Sequence, residues 1–400
     1  MISFTGHMVH IEDVLFDYGK PGAVFVNRVF NDLLASLGSS VSSSVNISIK
    51  IDGAPAIFAG VDPEDSTFFV AKKSIFNKVP KVYKTETEID LDTTGDLAVK
   101  LKLALKHLSK AGISGIIAGD FLYSKKDLKA ETYDGEEYLT FHPNTIVYAV
   151  PLNSELVKKI KNSELGIVWH TRYHGTSLSE LVPEFGAKIS DDLKPSAAVW
   201  NIDATLKDLS GTATFTAAET KTIKVLLATA EKLTNRLSKS ATDLVTDHLV
   251  NERLNIFINT KVRAEEHIKD HNKLALEFIE YFKQYVAKEA DKKKTEKGKA
   301  GTLARYKNAL DQFDKTPLAD LILLFNLYVI FHDLKIIFIA KLNKLQHMKS
   351  FLMTVDGFEV TNPEGFVAID HETRASVKLV DRLTFSKANF SSKYIKGFQR

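Results

Sequence analysis

Val45-Asn46-Ile47-Ser48-Ile49-Lys50-Ile51-Asp52-Gly53 decides how the rest of the chain is read. Val45, Ile47, Ile49 and Ile51 fall on one face of an extended chain, and Asn46, Ser48, Lys50 and Asp52 on the other. That period of two specifies a strand with one buried face. Lys50 and Asp52 then project from the same side, about 7 Å apart. Gly53 lets backbone approach a bound base or ribose closely. Upstream, Val26, Val29, Phe30, Leu33 and Leu37 recur at helical spacing over residues 23–37, and a Ser/Gly-rich break over 38–44 ends that helix. Downstream, strands over 54–60 and 67–72 flank the turn sequence Val61-Asp62-Pro63-Glu64-Asp65-Ser66. A helix over 96–108 carries Leu97, Leu101, Leu105 and Leu108 on one stripe, and strands follow over 115–121, 145–150 and 166–173.

The chain then changes texture. Helical patterns cover residues 217–237, 241–259, 264–287 and 317–344, with a lysine-rich break over 288–299 that reads as a solvated loop. Strand-like alternation returns over 352–355 and 358–361, around the hairpin signal Asp356-Gly357, and again over 366–370 and 375–380. Strands split by a helical block require the late strands to return to the early sheet. The expected fold is therefore α+β: a sheet domain in two parts, residues 1–202 and 351–400, with an all-α insertion over 203–350.

A composition of 44% hydrophobic and 26% charged residues supports a real core and excludes disorder as the main state. With no cysteine, disulfides, thiolate metal sites and cysteine nucleophiles are all excluded. A net charge of +3 permits a nucleic-acid partner without demanding one. Acids occupy the opening residues where a signal peptide needs an apolar run. The most apolar stretch, 318–331, contains Asp320 and Asn326 and is shorter than the roughly 20 residues of a membrane span. It reads as a buried helix, with no membrane partner and a cytoplasmic location. There is no Gly-rich phosphate loop and no G-x-S-x-G elbow. His10 and Glu12 read as local surface contacts. His170 and His174, four apart on a strand, sit about 13 Å from each other and cannot share a metal; with Arg172 they form a polar face expected to meet solvent.

Lys50 is the residue best placed for chemistry. A lysine on a sheet with a buried opposite face is partly desolvated, which favours the neutral amine that can attack phosphorus. Other pieces follow in order: Ile117-Ala118-Gly119-Asp120-Phe121-Leu122, Thr145-Ile146-Val147-Tyr148-Ala149-Val150, Glu364-Gly365-Phe366-Val367 and Ser376-Val377-Lys378-Leu379-Val380. In this order, with Lys50-Ile51-Asp52-Gly53 as K-x-D-G, they resemble the motifs of the covalent nucleotidyltransferase superfamily. Its members include ATP-dependent DNA ligases, RNA ligases and mRNA capping enzymes. The resemblance covers about 45–180 and 350–390 and is strongest to RNA ligases. Over its whole length the chain is similar to uncharacterised proteins of tailed bacteriophages, which would place it in the host cytoplasm.

The resemblance implies a mixed or antiparallel, ATP-grasp-like ligase domain, without the OB-fold that DNA ligases append. It implies that Lys50 takes AMP from ATP to form a lysyl-AMP, with Asp52 orienting it and Gly53 against the nucleotide. Asp120 would contact the ribose or a Mg²⁺ water, Tyr148 would stack on the base, Glu364 would bind Mg²⁺, and Lys378 would neutralise the α-phosphate. Lys72 and Lys73 resemble the basic segment near the nucleic-acid end. The lysine run that includes Lys292, Lys293 and Lys294 would make the helical insertion a nucleic-acid or protein-partner element. The sequence departs from the family at three places: Asp120 where glutamate is usual, Val380 where many relatives carry a second lysine, and Pro55 where DNA ligases have arginine. An RNA or DNA ligase, a GMP-capping or protein-nucleotidylylating enzyme, and a ligase-like binding module without catalysis all remain open at this point.

Overall fold

The computed structural model describes residues 9–38, 45–51, 53–185, 187–204, 215–266, 268–343, 349–354, 357–361, 365–370, 376–383 and 393–397. It is mixed α+β, and it divides into two compact units. One comprises Met1–Val45, Leu209–Lys344 and Asp370–Phe390, the other Asn46–Asp208, Leu345–Ile369 and Ser391–Arg400. The helical block is thus not an insertion complete in itself: residues 1–45 and 370–390, expected in the sheet domain, belong with the helices.

The sheet unit confirms that late strands return to early ones. Ile116–Ser124 lies between Ala56–Val61 and Leu165–His174, antiparallel to both, and Ala56–Val61 also pairs with Phe68–Ala71 in the expected hairpin. Helix Gly95–Leu108 covers this sheet, packing Leu101, Ala104 and Leu108 with Ile57, Ile117, Ile167 and Trp169. In a second sheet, Lys349–Thr354 runs antiparallel to Ile146–Pro151, and Gly357–Thr361 pairs beyond it. Lys129–Tyr133 and Glu136–Phe141 add a hairpin the sequence reading passed over. Its corner, Asp134-Gly135, has φ of +50° and +77°, as a two-residue turn of this kind requires. Strand Val45–Lys50 lies beside Gly365–Asp370.

Polar caps set the boundaries in the helical unit. The Asp247 side chain accepts from the amides of Leu249 and Val250, so one expected helix divides into Lys239–Thr246 and His248–Arg263. Thr295 accepts from the Gly298 amide and starts helix Glu296–Lys315. The lysine run is therefore no long loop. It spans the end of His271–Asp291, a short turn and the first residues of the next helix.

Helix Leu318–Leu342 forms the core of this unit. At 25 residues it outruns the apolar stretch seen in sequence and is long and apolar enough to cross a membrane, but 61% of its most apolar window is buried within the fold. Phe16 stacks on its Tyr328 at 4.6 Å and meets Phe325 edge-on at 6.0 Å. Phe30 packs on Phe338, and Phe278 on Phe325.

That helix also carries a buried charge cluster. Lys335, with 0% exposed side chain, donates to Glu12, also 0% exposed. Arg382 pairs with Asp13 and donates to the Tyr328 hydroxyl at 3.2 Å, and the hydroxyl donates to Asp13 at 3.4 Å. Glu12 is thus no surface residue. Burial alone would raise its carboxyl, but the Lys335 ammonium and then Arg382 outweigh that and hold it well below the usual range. Burial pushes Asp13 up to about 6, opposed by Arg382 and assisted by Glu12. His10 is held well below its ordinary value, first by burial and then by Arg382, with Lys335 and Lys378 acting the same way and Glu12 opposing.

Removing one partner of a buried pair strands the other charge, at a cost of about 3–5 kcal/mol. Glu12→Gln is therefore expected to lower the denaturant midpoint sharply, and Glu12→Gln with Lys335→Met to recover most of the loss. Equal loss in both variants would deny the pairing. A second expectation concerns acid. Below about pH 6.5 the unfolded chain protonates His10 and the folded chain does not, so stability falls as pH drops through that value. Asp13 acts in the opposite sense between about 6 and its ordinary value. His10→Gln should lose less melting temperature than the parent between about pH 7.5 and about pH 5.5, a comparison in which the Asp13 contribution cancels.

Candidate active site

Within the sheet unit the chain from Gly53 onward is laid directly onto the strand bearing Asp120. Lys50 ends strand Val45–Lys50 and is half-buried, and Ile51 after it is buried. The Gly53 amide then donates to the Ile51 carbonyl at 3.1 Å. Two further backbone bonds clamp the turn to Ile116–Ser124: Ala54 donates to Phe121 at 2.9 Å, and Phe121 donates to Pro55 at 3.0 Å. Ala56 then sits opposite Asp120 in register.

This approach is why position 53 is glycine. A Cβ there would lie 2.4 Å from the Asp120 Cβ and 3.1 Å from the Phe121 carbonyl oxygen. Gly119 is constrained in the same way from the other side, since a Cβ would come within 2.3 Å of the Val168 carbonyl oxygen. Both glycines have steric causes, and together they fix Asp120 against the turn that follows Lys50.

The Asp120 side chain is half-buried, and His170 Nε2 stands 3.9 Å from its Oδ2. The same histidine's Nδ1 is 2.7 Å from the Thr171 hydroxyl. Sequence reading turned His170, Arg172 and His174 toward solvent together. His174 does meet solvent, paired there with Glu184, and Arg172 pairs with the exposed Asp192, while His170 borders Asp120. The alternation of the strand was visible, but its register against Ile116–Ser124, shifted by an irregularity between Ala118 and Gly119, was not.

The other expected residues fall differently. Tyr148 is 2% exposed and packs on Phe141 at 5.6 Å, so its ring is part of the core and has no face open to a base. Lys378 lies on strand Ser376–Leu379, opposite His10, in the helical unit rather than the unit of Lys50. Asp52 and Glu364 lie outside the described residues. Lys72 is bound to Asp92 at 3.1 Å. Asp92 also receives Lys81 and the Tyr83 hydroxyl, and these donors, Lys81 first, keep its carboxyl well below the usual range. Lys73 is exposed. Lys292 pairs with Glu289, and Lys293 and Lys294 are exposed in the turn between helices.

Among the described residues no group of three or more histidine or acidic side chains could hold a metal ion. Mg²⁺ does not demand such a cage, because it keeps most of its waters and takes one or two carboxylates with substrate phosphates. Asp120 fits that requirement.

The chain belongs to the family described as "Family of unknown function (DUF6267)", which matches residues 5–394. No curated protein and no solved structure matches it.

The Gly53–Asp120 contact predicts coupled substitutions. Gly53→Ala should destabilise the chain by about 1–3 kcal/mol through overpacking. Adding Asp120→Gly should return part of that loss, giving a favourable coupling of about 1 kcal/mol in a double-mutant cycle. Strict additivity in urea unfolding would show that the two positions do not touch.

Proposed function

We propose that this member of the DUF6267 family is a covalent nucleotidyltransferase, and within that class an ATP-dependent polynucleotide ligase acting on RNA in preference to DNA. The observation that carries the reading is the packing of Gly53 on Asp120, which joins two motifs far apart in sequence directly beyond the end of the Lys50 strand. The strand beginning at Gly365, just after Glu364, lies beside the Lys50 strand in the same unit.

In this reading the neutral Lys50 amine attacks the α-phosphorus of ATP. An N–P bond forms, the P–O bond to the β-phosphate breaks, and pyrophosphate leaves. A 5′-phosphate oxygen then takes the AMP from Lys50, and a 3′-hydroxyl displaces AMP as the phosphodiester forms. Positioning and charge neutralisation supply most of the rate in such in-line transfers. Mg²⁺, when bound, neutralises phosphate charge, and Asp120 and Glu364 would hold it. Asp52 would orient Lys50 or its nucleotide. His170, beside Asp120, would hold that carboxylate in place. Lys378, which the resemblance assigns to the α-phosphate, belongs to the helical unit and has no step in this reading. Tyr148 has no part, so the base is held by other groups. A cytoplasmic location, with ATP at hand, follows from the same reading.

Incubating the purified chain with α-labelled ATP and Mg²⁺ tests the first step. Label stable to alkali and released by acid, as a phosphoramidate is, is expected on the peptide containing Lys50, and Lys50→Ala should abolish it. Failure of the folded parent to label, or label persisting in Lys50→Ala, would overturn the proposal. Label from GTP alone would reassign it to a GMP transferase.

A further inference from the structure

The segment after strand Phe68–Ala71 contains Lys72, Lys73, Lys78, Lys81 and Lys84, and no acid occurs from Ser66 to Thr85. Its two ends are tied down. Lys72 and Lys81 share the single carboxylate of Asp92, and Val70 and Tyr83 exchange backbone hydrogen bonds of 3.0 and 2.8 Å. Between these anchors the backbone is braced on Ser74, whose carbonyl accepts from the amides of Asn77 and Lys81, each at 3.2 Å.

What this braced loop presents to water is unusual. Phe76 is 49% exposed and Val79 78% exposed. Lys73, Asn77 and Lys78 are exposed around them, and among the described residues neither Lys73 nor Lys78 has an ion pair. The Phe76 ring is nonetheless held in place. It meets Phe58 edge-on at 5.2 Å and Tyr173 at 5.4 Å, and those two rings lie 5.9 Å apart. A half-exposed aromatic ring fixed by two others, with two uncompensated ammonium groups beside it, has the chemistry to stack a base while the lysines meet the flanking phosphates. A duplex hides its base faces and offers nothing for the ring to stack on.

We infer that the 73–79 loop is the docking surface for a single-stranded polynucleotide, with Phe76 as the stacking platform and Lys73 and Lys78 as phosphate contacts. The choice of partner rests on the polynucleotide reading above. Lys72, locked on Asp92, shapes the loop and does not contact the strand.

Fluorescence anisotropy of a labelled single-stranded RNA of about a dozen nucleotides, titrated with the full chain across a range of salt, is the test. Phe76→Ala should raise Kd about tenfold or more. Phe76→Leu, which keeps the buried bulk but not the ring, should do the same with the melting temperature retained, and Phe76→Tyr should bind as the parent. Lys73→Ala and Lys78→Ala should each reduce the slope of log K against log salt by about 0.7. Parent-like binding by Phe76→Leu, tighter binding of duplex than of single strand, or no binding by the parent overturns the inference. Labelling by ATP separates the two claims: a chain that labels but does not bind sinks only this surface, and one that binds through Phe76 but does not label sinks only the enzyme.

Discussion

Backbone pairing governs the course of this chain. Strand Ile146–Pro151 has Glu136–Phe141 on one side, and its other edge is filled by Lys349–Thr354, made roughly two hundred residues later. The strand bearing Lys50 has Gly365–Asp370 beside it. Buried amides and carbonyls must find partners, and these find them only if the chain leaves the sheet unit, builds most of the helical unit and returns. The interleaved order of the two units follows from that requirement, and so does the coarse α+β class.

Much of this was legible because it rests on periodicity. The strand ending at Lys50, the hairpin around residues 62–66, the helix at 95–108 and the hairpin at 349–361 are all written in local alternation or turn residues. The Asp134-Gly135 hairpin was equally written but obscured by glutamates and a lysine on Lys129–Tyr133 and at the exposed start of Glu136–Phe141. Helix Glu296–Lys315 was hidden by the lysine run at its start, since a solvated helix and a charged loop share a composition. Its Thr295 cap was the signal to use.

The sites divide along the same line. Glycines at 53 and 119 mark close approach, and the contact between the K-x-D-G turn and Asp120 follows the order of motifs. Long-range charge pairing leaves no such mark. Nothing near Glu12 announces Lys335, nothing near Lys72 announces Asp92, and a buried ion pair reads in sequence as two surface residues. Tyr148 failed as a base-stacking residue for a related reason: an aromatic on a strand looks alike whether its ring faces a ligand or other rings.

The buried cluster around Glu12 carries a consequence for biosynthesis. Asp13 leaves the ribosome 369 residues before Arg382, its ion-pair partner. At about 5–20 residues per second, that interval is about 20–70 s. Until residues 328–335 have been made, the two acids can only stay hydrated, and the helices that follow them have neither Tyr328 nor Lys335 to close over. The helical unit is therefore finished after translation of its last segment, and its earliest residues are the ones a nascent-chain chaperone would meet still exposed.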